Sequence, residues 1–196
     1  MIVPRETPPP ESPPEQLIEI AGYLASRAYP LGLTNYASPE DLLREAILPC
    51  LAICDVWDTL SPGSCAELGP GSGAMGLSLA ALHPEVPFTL VDRRERVVSF
   101  LDVAARVLGM TNVTALAADV GRAPLPCRYD LVVLRAFAKP AVALGAASAV
   151  SAGWIAVWHS PETGGYDSAP AGFGLEDRLL TSTDSLVCTL YHRNPA

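Results

Sequence analysis

The stretch Cys65-Ala66-Glu67-Leu68-Gly69-Pro70-Gly71-Ser72-Gly73-Ala74-Met75-Gly76 constrains the fold of this chain more than any other. A short apolar run carrying one acid, Glu67, enters a turn with glycine at positions 69, 71 and 73. From Ala74 to His83 the pattern becomes helical and rich in Ala and Leu. Strand, glycine turn and helix, in that order, let a backbone approach a bound nucleotide closely and aim helix N–H groups at it. A second apolar run, Phe88 to Val91, ends on Asp92, 25 residues beyond Glu67. An acid at the tip of a second strand accepts hydrogen bonds from both hydroxyls of a ribose.

Two ligand classes fit this layout. Gly71-x-Gly73-x-x-Gly76 matches the dinucleotide fingerprint, and Glu67-x-Gly69-x-Gly71-x-Gly73 matches the glycine turn of S-adenosylmethionine-dependent methyltransferases. The acid before the turn decides between them. A carboxylate at Glu67 suits a ligand bearing an ammonium and a sulfonium, and repels a pyrophosphate placed there. A glycine turn that only packs a helix on a sheet is the remaining alternative, and it leaves the spacing to Asp92 unexplained.

Around this centre, helix and strand patterns alternate. The spacing predicts strands at Cys65–Leu68, Phe88–Val91, Val113–Leu116, Tyr129–Leu134 and Trp154–Trp158, with helices at Ala74–His83, Arg94–Leu108 and Lys139–Val150. Connections this short imply parallel strands covered by helices on both faces. Arg178–Thr183 and Leu186–His192 read as an antiparallel hairpin around Asp184-Ser185. The expected fold is therefore α/β: a mostly parallel, seven-stranded sheet of the class I methyltransferase, Rossmann-like type, with a C-terminal hairpin. Ahead of it, Leu17, Ala21, Leu24, Ala25 and Ala28 share one face of a predicted helix. Ser38-Pro39-Glu40-Asp41 is a helix start signal, and Pro49 is expected to kink the helix that follows. We read residues 1–14 as a disordered, proline-rich tail, 15–62 as an N-terminal helical cap and 63–196 as the cofactor-binding domain. Ser160–Gly174 reads as a glycine- and proline-rich loop over the carboxyl edge, a candidate lid.

Composition narrows the partners. No apolar run is long enough and clean enough to read as a membrane span or signal peptide. Five cysteines without a C-x-x-C pair fit reduced thiols and a cytoplasmic setting, with no metal site. A net charge of −8 argues against general nucleic-acid binding. Its distribution softens that argument, because residues 93–139 hold eight basic groups against four acids. A basic rim on an acidic body and a set of solvated surface charges both fit.

Several further segments carry a resemblance. Leu33-Thr34-Asn35-Tyr36, the glycine turn, Phe100-Leu101, Leu108-Gly109-Met110-Thr111-Asn112-Val113, Tyr129-Asp130 and Arg135-Ala136-Phe137-Ala138 stand in positions similar to those of the bacterial glucose-inhibited division protein B family. The chain resembles that family from about residue 17 to its end. The resemblance implies a methyltransferase that uses S-adenosylmethionine to modify N7 of a guanine in small-subunit ribosomal RNA. The chain departs from the family pattern at Glu45-Ala46-Ile47-Leu48-Pro49-Cys50, where the family carries Arg-His-Ile-Leu-Asp-Ser. It also reads Trp158-His159-Ser160 in place of a Leu-Lys-Gly element, and Arg93-Arg94-Glu95-Arg96 in place of a lysine-rich turn. These departures keep two alternatives open: a methyltransferase with a small-molecule acceptor, and a catalytically silent protein that binds the cofactor and acts by interaction.

The expected cofactor contacts are Glu67 and the backbone of Gly69, Gly71 and Gly73 for the methionine end, and Asp92 with Arg93 for the ribose. Ala118, Asp119 and Val120 are expected beside the adenine, Asp119 equally as a loop acid bonded to its own backbone. The expected catalytic residues are Arg135, Lys139 and His159. Arg135 follows the fourth strand, where this fold faces the transferred methyl; a structural salt bridge to Asp130 or Asp92 is its alternative. Phe137 reads as a stacking surface or as packing. Lys139 is a candidate phosphate contact. His159, at the exit of the fifth strand, reads as a base for a hydroxyl or amine substrate, or as a polar strand end. Guanine N7 carries a free lone pair and needs no general base, so the absence of a Ser-His-Asp or paired-carboxylate pattern is no objection.

Overall fold

The computed structural model describes residues 13–123, 125–182 and 185–195. Of the tail expected over 1–14, all but Pro13 and Pro14 lies outside the described residues, as does Asp184 of the expected hairpin turn.

Seven strands form one sheet in the order β3-β2-β1-β4-β5-β7-β6. They are β1 (Cys65–Leu68), β2 (Phe88–Asp92), β3 (Val113–Ala117), β4 (Tyr129–Arg135), β5 (Ser151–His159), β6 (Phe173–Leu180) and β7 (Val187–Arg193). The first five run parallel, and β7 lies antiparallel between β5 and β6. The hairpin starts earlier than its pattern suggested. Gly172, at φ +82°, turns the chain into β6 at Phe173, ahead of the expected Arg178. Glu176 and Asp177 obscured the strand in the sequence, yet charges mid-strand are tolerated on a sheet edge and discourage pairing with another chain.

Among the described residues, six α-helices flank the sheet: α1 (Glu15–Arg27), α2 (Pro39–Leu42), α3 (Trp57–Leu60), α4 (Ala74–Leu82), α5 (Glu95–Val107) and α6 (Pro140–Val150). No helix among the described residues is long and apolar enough to cross a membrane. Ser38 caps α2 as expected, its hydroxyl accepting from the Asp41 N–H at 3.1 Å. The chain then stays helical up to α3 but changes gauge. Leu43–Ile47 is a π-helical turn and Leu48–Val56 is 3-10 helix. Wide and narrow turns in succession are how a helix accommodates Pro49, whose ring cannot follow the α-helical ladder.

Strand parity sorts the side chains onto two faces. Cys65, Leu131, Val133, Ala156 and Trp158 join α4 and the 48–60 segment in one core cluster. Ala66, Leu68, Val132, Leu134, Ile155 and Val157 pack against α6 on the other face. A third cluster binds α1, Leu42 and Ile47 to α4 and α5 through Leu77, Phe100 and Leu101. The N-terminal helices thus bury their apolar stripe against the same face of the sheet as α4 and α5.

At the carboxyl edge of the sheet, Arg135 and Trp158 stand side by side in register. Both reach to the irregular helical segment. Pro49 has no N–H to offer the Glu45 carbonyl four residues back. The Arg135 Nη2 donates to that carbonyl at 3.0 Å, and its Nη1 donates to the Ala46 carbonyl at 2.9 Å. The Trp158 Nε1–H donates to the Pro49 carbonyl at 3.0 Å. Trp158→Phe strips this donor from a buried carbonyl and leaves part of the indole's space unfilled, so stability falls by at least about 1–3 kcal/mol. Urea unfolding of the two proteins checks this; an unchanged midpoint would mean that the Pro49 carbonyl does not depend on Trp158.

Candidate functional site

The carboxyl ends of β1, β2, β3 and β4 open onto a cavity of about 820 Å3, closed on one side by α6. Open parallel sheets bind ligands in this crevice, where the strand order reverses. Gly69, Asp92, Arg93, Arg94 and the Ala118–Gly121 loop line it, together with Ala136, Phe137 and Ala138. The far wall is a strip of small residues on α6, Ala141, Gly145, Ala146 and Ala149, with the exposed Val142 at its lip. The sequence carries that strip as small residues at helical spacing within the expected Lys139–Val150 helix.

The expected ribose acid sits where it was expected. Asp92 is 5% exposed and forms part of the cavity wall. Burial raises its pKa, but the hydrogen bonds and charge of Arg94, helped by Arg93, outweigh that effect and hold it below the ordinary carboxylate range. Its hydrogen-bonding partner is Arg94, of which no role was expected. The Asp92 Oδ1 accepts from the Arg94 backbone N–H at 2.9 Å and from the Arg94 Nε at 3.0 Å, while Oδ2 accepts from Nη2 at 2.9 Å. Arg93 lines the cavity without taking this role. Sequence alone could not choose between adjacent arginines, because the choice depends on how the chain turns into α5.

The adenine-side residues Ala118, Asp119 and Val120 all line the cavity. Asp119 also accepts from the Gly121 N–H through Oδ1 at 3.2 Å, the self-bonded turn that was its alternative reading.

The glycine turn divides its labour. Gly69, at φ +69°, lines the cavity, and a Cβ there would stand 2.7 Å from Phe137 Cδ2. Gly71 and Gly73 do not reach the cavity wall. Gly73, at φ +84°, starts α4, and a Cβ on it would meet Leu101 and Leu77 at 2.6 and 2.9 Å. Its smallness serves the packing of α4 against α5.

Glu67 is displaced from its expected role. Its carboxyl lies behind the turn, 3% exposed, and Oε2 accepts from the Gly76 N–H at 2.8 Å in the first turn of α4. A Cβ at Gly76 would come within 2.3 Å of that oxygen, so the last glycine of the motif makes room for the acid. Burial pushes the Glu67 pKa up to about 8, against the pull of the Gly76 N–H and the Arg135 charge. At neutral pH it is therefore largely a neutral acid.

The three expected catalytic residues are not assembled. Arg135 shares strand parity with Leu131 and Val133, so its guanidinium points to the face opposite α6, where it holds the Glu45 and Ala46 carbonyls. It pairs with neither Asp130 nor Asp92, and its place is structural. Directly after it, Ala136 adopts φ +51°, a left-handed conformation costing about 1–2 kcal/mol for a residue with a Cβ. This reversal sends Arg135 to one face and lays Phe137 over Gly69 on the other. His159 is buried, with Nδ1 2.9 Å from the Ser160 carbonyl and Nε2 2.8 Å from the Thr189 hydroxyl. A carbonyl only accepts, so Nδ1 carries the proton, and neither nitrogen faces the cavity. Its ring stacks on Tyr166 at 4.3 Å, and the Tyr191 hydroxyl donates to the Tyr166 carbonyl at 2.5 Å. The 160–172 loop is thereby anchored at its middle. Lys139 is exposed at the N-cap of α6, its carbonyl accepting from Val142 and Ala143, and its side chain is not part of the cavity wall.

Known proteins share this framework. The family model described as rRNA small subunit methyltransferase G (GidB) matches residues 15–148. The ribosomal RNA small subunit methyltransferase G of Haemophilus influenzae (strain PittEE) is 28% identical over 165 residues, covering 84% of this chain and 75% of that protein. The protein of the same name from Sorangium cellulosum (strain So ce56) is 32% identical over 113 residues, covering 56% of this chain and 47% of its own length. The chain thus spans from about half to three quarters of these two relatives. Among solved structures, the 16S rRNA methylase RmtB superposes with a TM-score of 0.63 at 19% identity, over 93% of this chain and 76% of that one. At that identity the likeness concerns the fold.

The raised pKa of Glu67 has a measurable consequence. From its ordinary value of 4.5 up to about 8, the folded state holds a proton that the unfolded chain releases. This contribution to stability is complete below pH 4.5, is lost as pH rises through that window and levels off above it, with a slope of up to about 1.4 kcal/mol per pH unit. Glu67→Gln keeps an acceptor for Gly76 and flattens the slope. Denaturation midpoints of both proteins between pH 5 and 9 check this; parallel curves would show that Glu67 is ionised in the folded state.

Proposed function

We propose that this chain, which belongs to the rRNA small subunit methyltransferase G family, is an S-adenosylmethionine-dependent methyltransferase acting on small-subunit ribosomal RNA. The observation that carries the reading is the cavity at the carboxyl edge. It joins a glycine turn, an ionised acid at the tip of the second strand and a narrow slot between Ala118–Val120 and the small face of α6. Its volume suits a nucleoside-sized ligand with an amino-acid arm. Asp92 would hold the ribose diol, Ala118 and Val120 with Ala141 and Gly145 would flank the adenine, and the Gly69 turn would border the methionine arm. When bound, the cofactor supplies an electrophilic methyl on a sulfonium.

The residues of the cavity bind and orient; they do not take protons. The titratable groups on its wall are Asp92, Arg93, Arg94 and Asp119. Asp92 is engaged by Arg94, and Asp119 bonds its own loop. An acceptor that needs no base fits such a wall, and guanine N7, with its free lone pair, is one. Orientation of acceptor against donor is then the main source of rate, worth up to ~7–11 kcal/mol in favourable cases. Phe137, half-buried over Gly69, offers a flat apolar surface beside the place where an acceptor ring must arrive. His159, expected as a base for a hydroxyl or amine acceptor, is engaged by Ser160 and Thr189, which removes one feature that favoured a small-molecule acceptor needing deprotonation.

The test combines binding with transfer. Calorimetry with S-adenosylhomocysteine should show binding that Asp92→Ala weakens by about tenfold or more, as expected for losing charge-assisted hydrogen bonds. With labelled S-adenosylmethionine, undermethylated 30S subunits should gain label at a guanine, at N7. Absence of cofactor binding sinks the methyltransferase reading. Binding without transfer to 30S subunits sinks the ribosomal RNA part alone.

A further inference from the structure

We infer that Arg94 occupies the ribose-binding face of Asp92 as an internal ligand, and that the cofactor must displace it, freeing its guanidinium to meet a phosphate of the acceptor. The inference rests on the function proposed above, because it concerns the same cavity.

The geometry of the pair carries the argument. A carboxylate offers about four lone-pair directions, and Arg94 takes three: its backbone N–H and Nε on Oδ1, and Nη2 on Oδ2. The two guanidinium bonds form the side-on fork that a ribose diol would also present, one donor to each oxygen. One free direction cannot serve two hydroxyls. At least one guanidinium bond must open when a diol binds, while the backbone N–H can stay.

Among the described residues the Arg94 guanidinium bonds to Asp92 alone. Asp92 is the buried member of the pair, with 4% of its side chain exposed, whereas 47% of the Arg94 side chain is exposed at the cavity mouth. Asp92 is its one ion-pair partner among the described residues. A basin of about 460 Å3 adjoins the cavity beyond the tips of β2 and β3, lined by Arg93 and Arg122 with Glu95 and Asp119. A released Arg94 guanidinium would join Arg93 at the junction of the two spaces. While latched, its guanidinium is paired with Asp92; once freed, it stands exposed at the cavity mouth, apart from a carboxylate that the ribose covers. A polyanionic acceptor is therefore attracted more strongly after the cofactor has bound, and by linkage each ligand strengthens the other.

Arg94→Met tests this, since it keeps the backbone N–H on Asp92 and most of the side-chain volume. Calorimetric titration of the full chain with S-adenosylhomocysteine should show roughly three- to tenfold tighter binding than wild type, the scale of a half-exposed ion pair no longer in competition. Arg93→Met, altering a neighbouring charge outside the latch, should not tighten it. In the second arm, wild-type affinity for 30S subunits should rise severalfold when S-adenosylhomocysteine is saturating, and Arg94→Met should lose that rise. Weaker cofactor binding by Arg94→Met would overturn the latch, because Arg94 would then be ordering Asp92 for the ribose. Equal tightening by Arg93→Met would overturn it too, by reducing the effect to general charge. Tighter binding without coupling would overturn the phosphate step. A wild-type chain that binds no cofactor would instead refute the proposed function, so the two failures are distinguishable. Thermal melts of both variants confirm folding before the affinities are compared.

Discussion

The contact on which the edge of this sheet depends is the fork of hydrogen bonds from Arg135 to the carbonyls of Glu45 and Ala46. It joins the last residue of β4 to a helical segment that Pro49 prevents from being regular. Without it both carbonyls lose a charged donor; the Ala46 carbonyl keeps the Cys50 thiol at 3.2 Å, while an unmet Glu45 carbonyl costs about 1–3 kcal/mol. The Trp158 bond to Pro49 closes the same corner from β5. The next residues follow from this fixture. With Arg135 held on one face, the left-handed turn at Ala136 returns the chain to the other, and Phe137 comes to rest on the cavity side at Gly69. A family segment that reads as catalytic in the sequence is thus a hinge pin, whose two ends serve different faces of the sheet.

The fold was legible because its signals are local. Strand, glycine turn and helix, the Ser38 cap and the alternation from residue 65 onward each rest on the residues that form them. The cavity residues Gly69, Asp92, Ala118, Asp119 and Val120 were legible for the same reason, since each sits at a strand tip whose place follows from topology. Arg135, Glu67 and His159, expected at the site, stand apart from the cavity wall, and one physical cause accounts for all three. The central strands are buried on both faces, so their sequences are apolar throughout and carry no alternation to show which way a given side chain points. Arg135 needed only its parity with Leu131 and Val133, but that parity has meaning only once each face has an occupant. Arg94 was missed for a different reason. Adjacent arginines enter a helix there, and the backbone angle at its N-cap, invisible in the sequence, decides which one folds back on Asp92.

The two acids of the motif have opposite fates. Glu67 is enclosed behind the glycine turn and held near neutrality by burial, while Asp92, almost as buried, stays ionised because a guanidinium covers it. Burial alone does not decide the charge of a carboxylate; the presence of a partner does. The difference also separates their work. A neutral Glu67 accepts from the Gly76 N–H and seats the first turn of α4, whereas a charged Asp92 keeps a strong acceptor at the cavity wall.

Glu67 does not touch the cavity, yet its charge state responds to charge placed at the turn. Glu67 with a pKa of about 8 is poised close to neutral pH. A positive charge brought toward the turn favours its ionised form, and a negative charge favours the protonated one. A charge near the turn therefore acts on Glu67 through its proton rather than through a direct contact. Arg135 already pulls its pKa downward from the side away from the cavity, so the hinge pin and the glycine turn share one electrostatic field. The corner at Pro49, the arginine that closes it and the acid that seats α4 are on this account a single unit behind the glycine turn, while the charge of the cavity wall comes from Asp92, Arg93, Arg94 and Asp119.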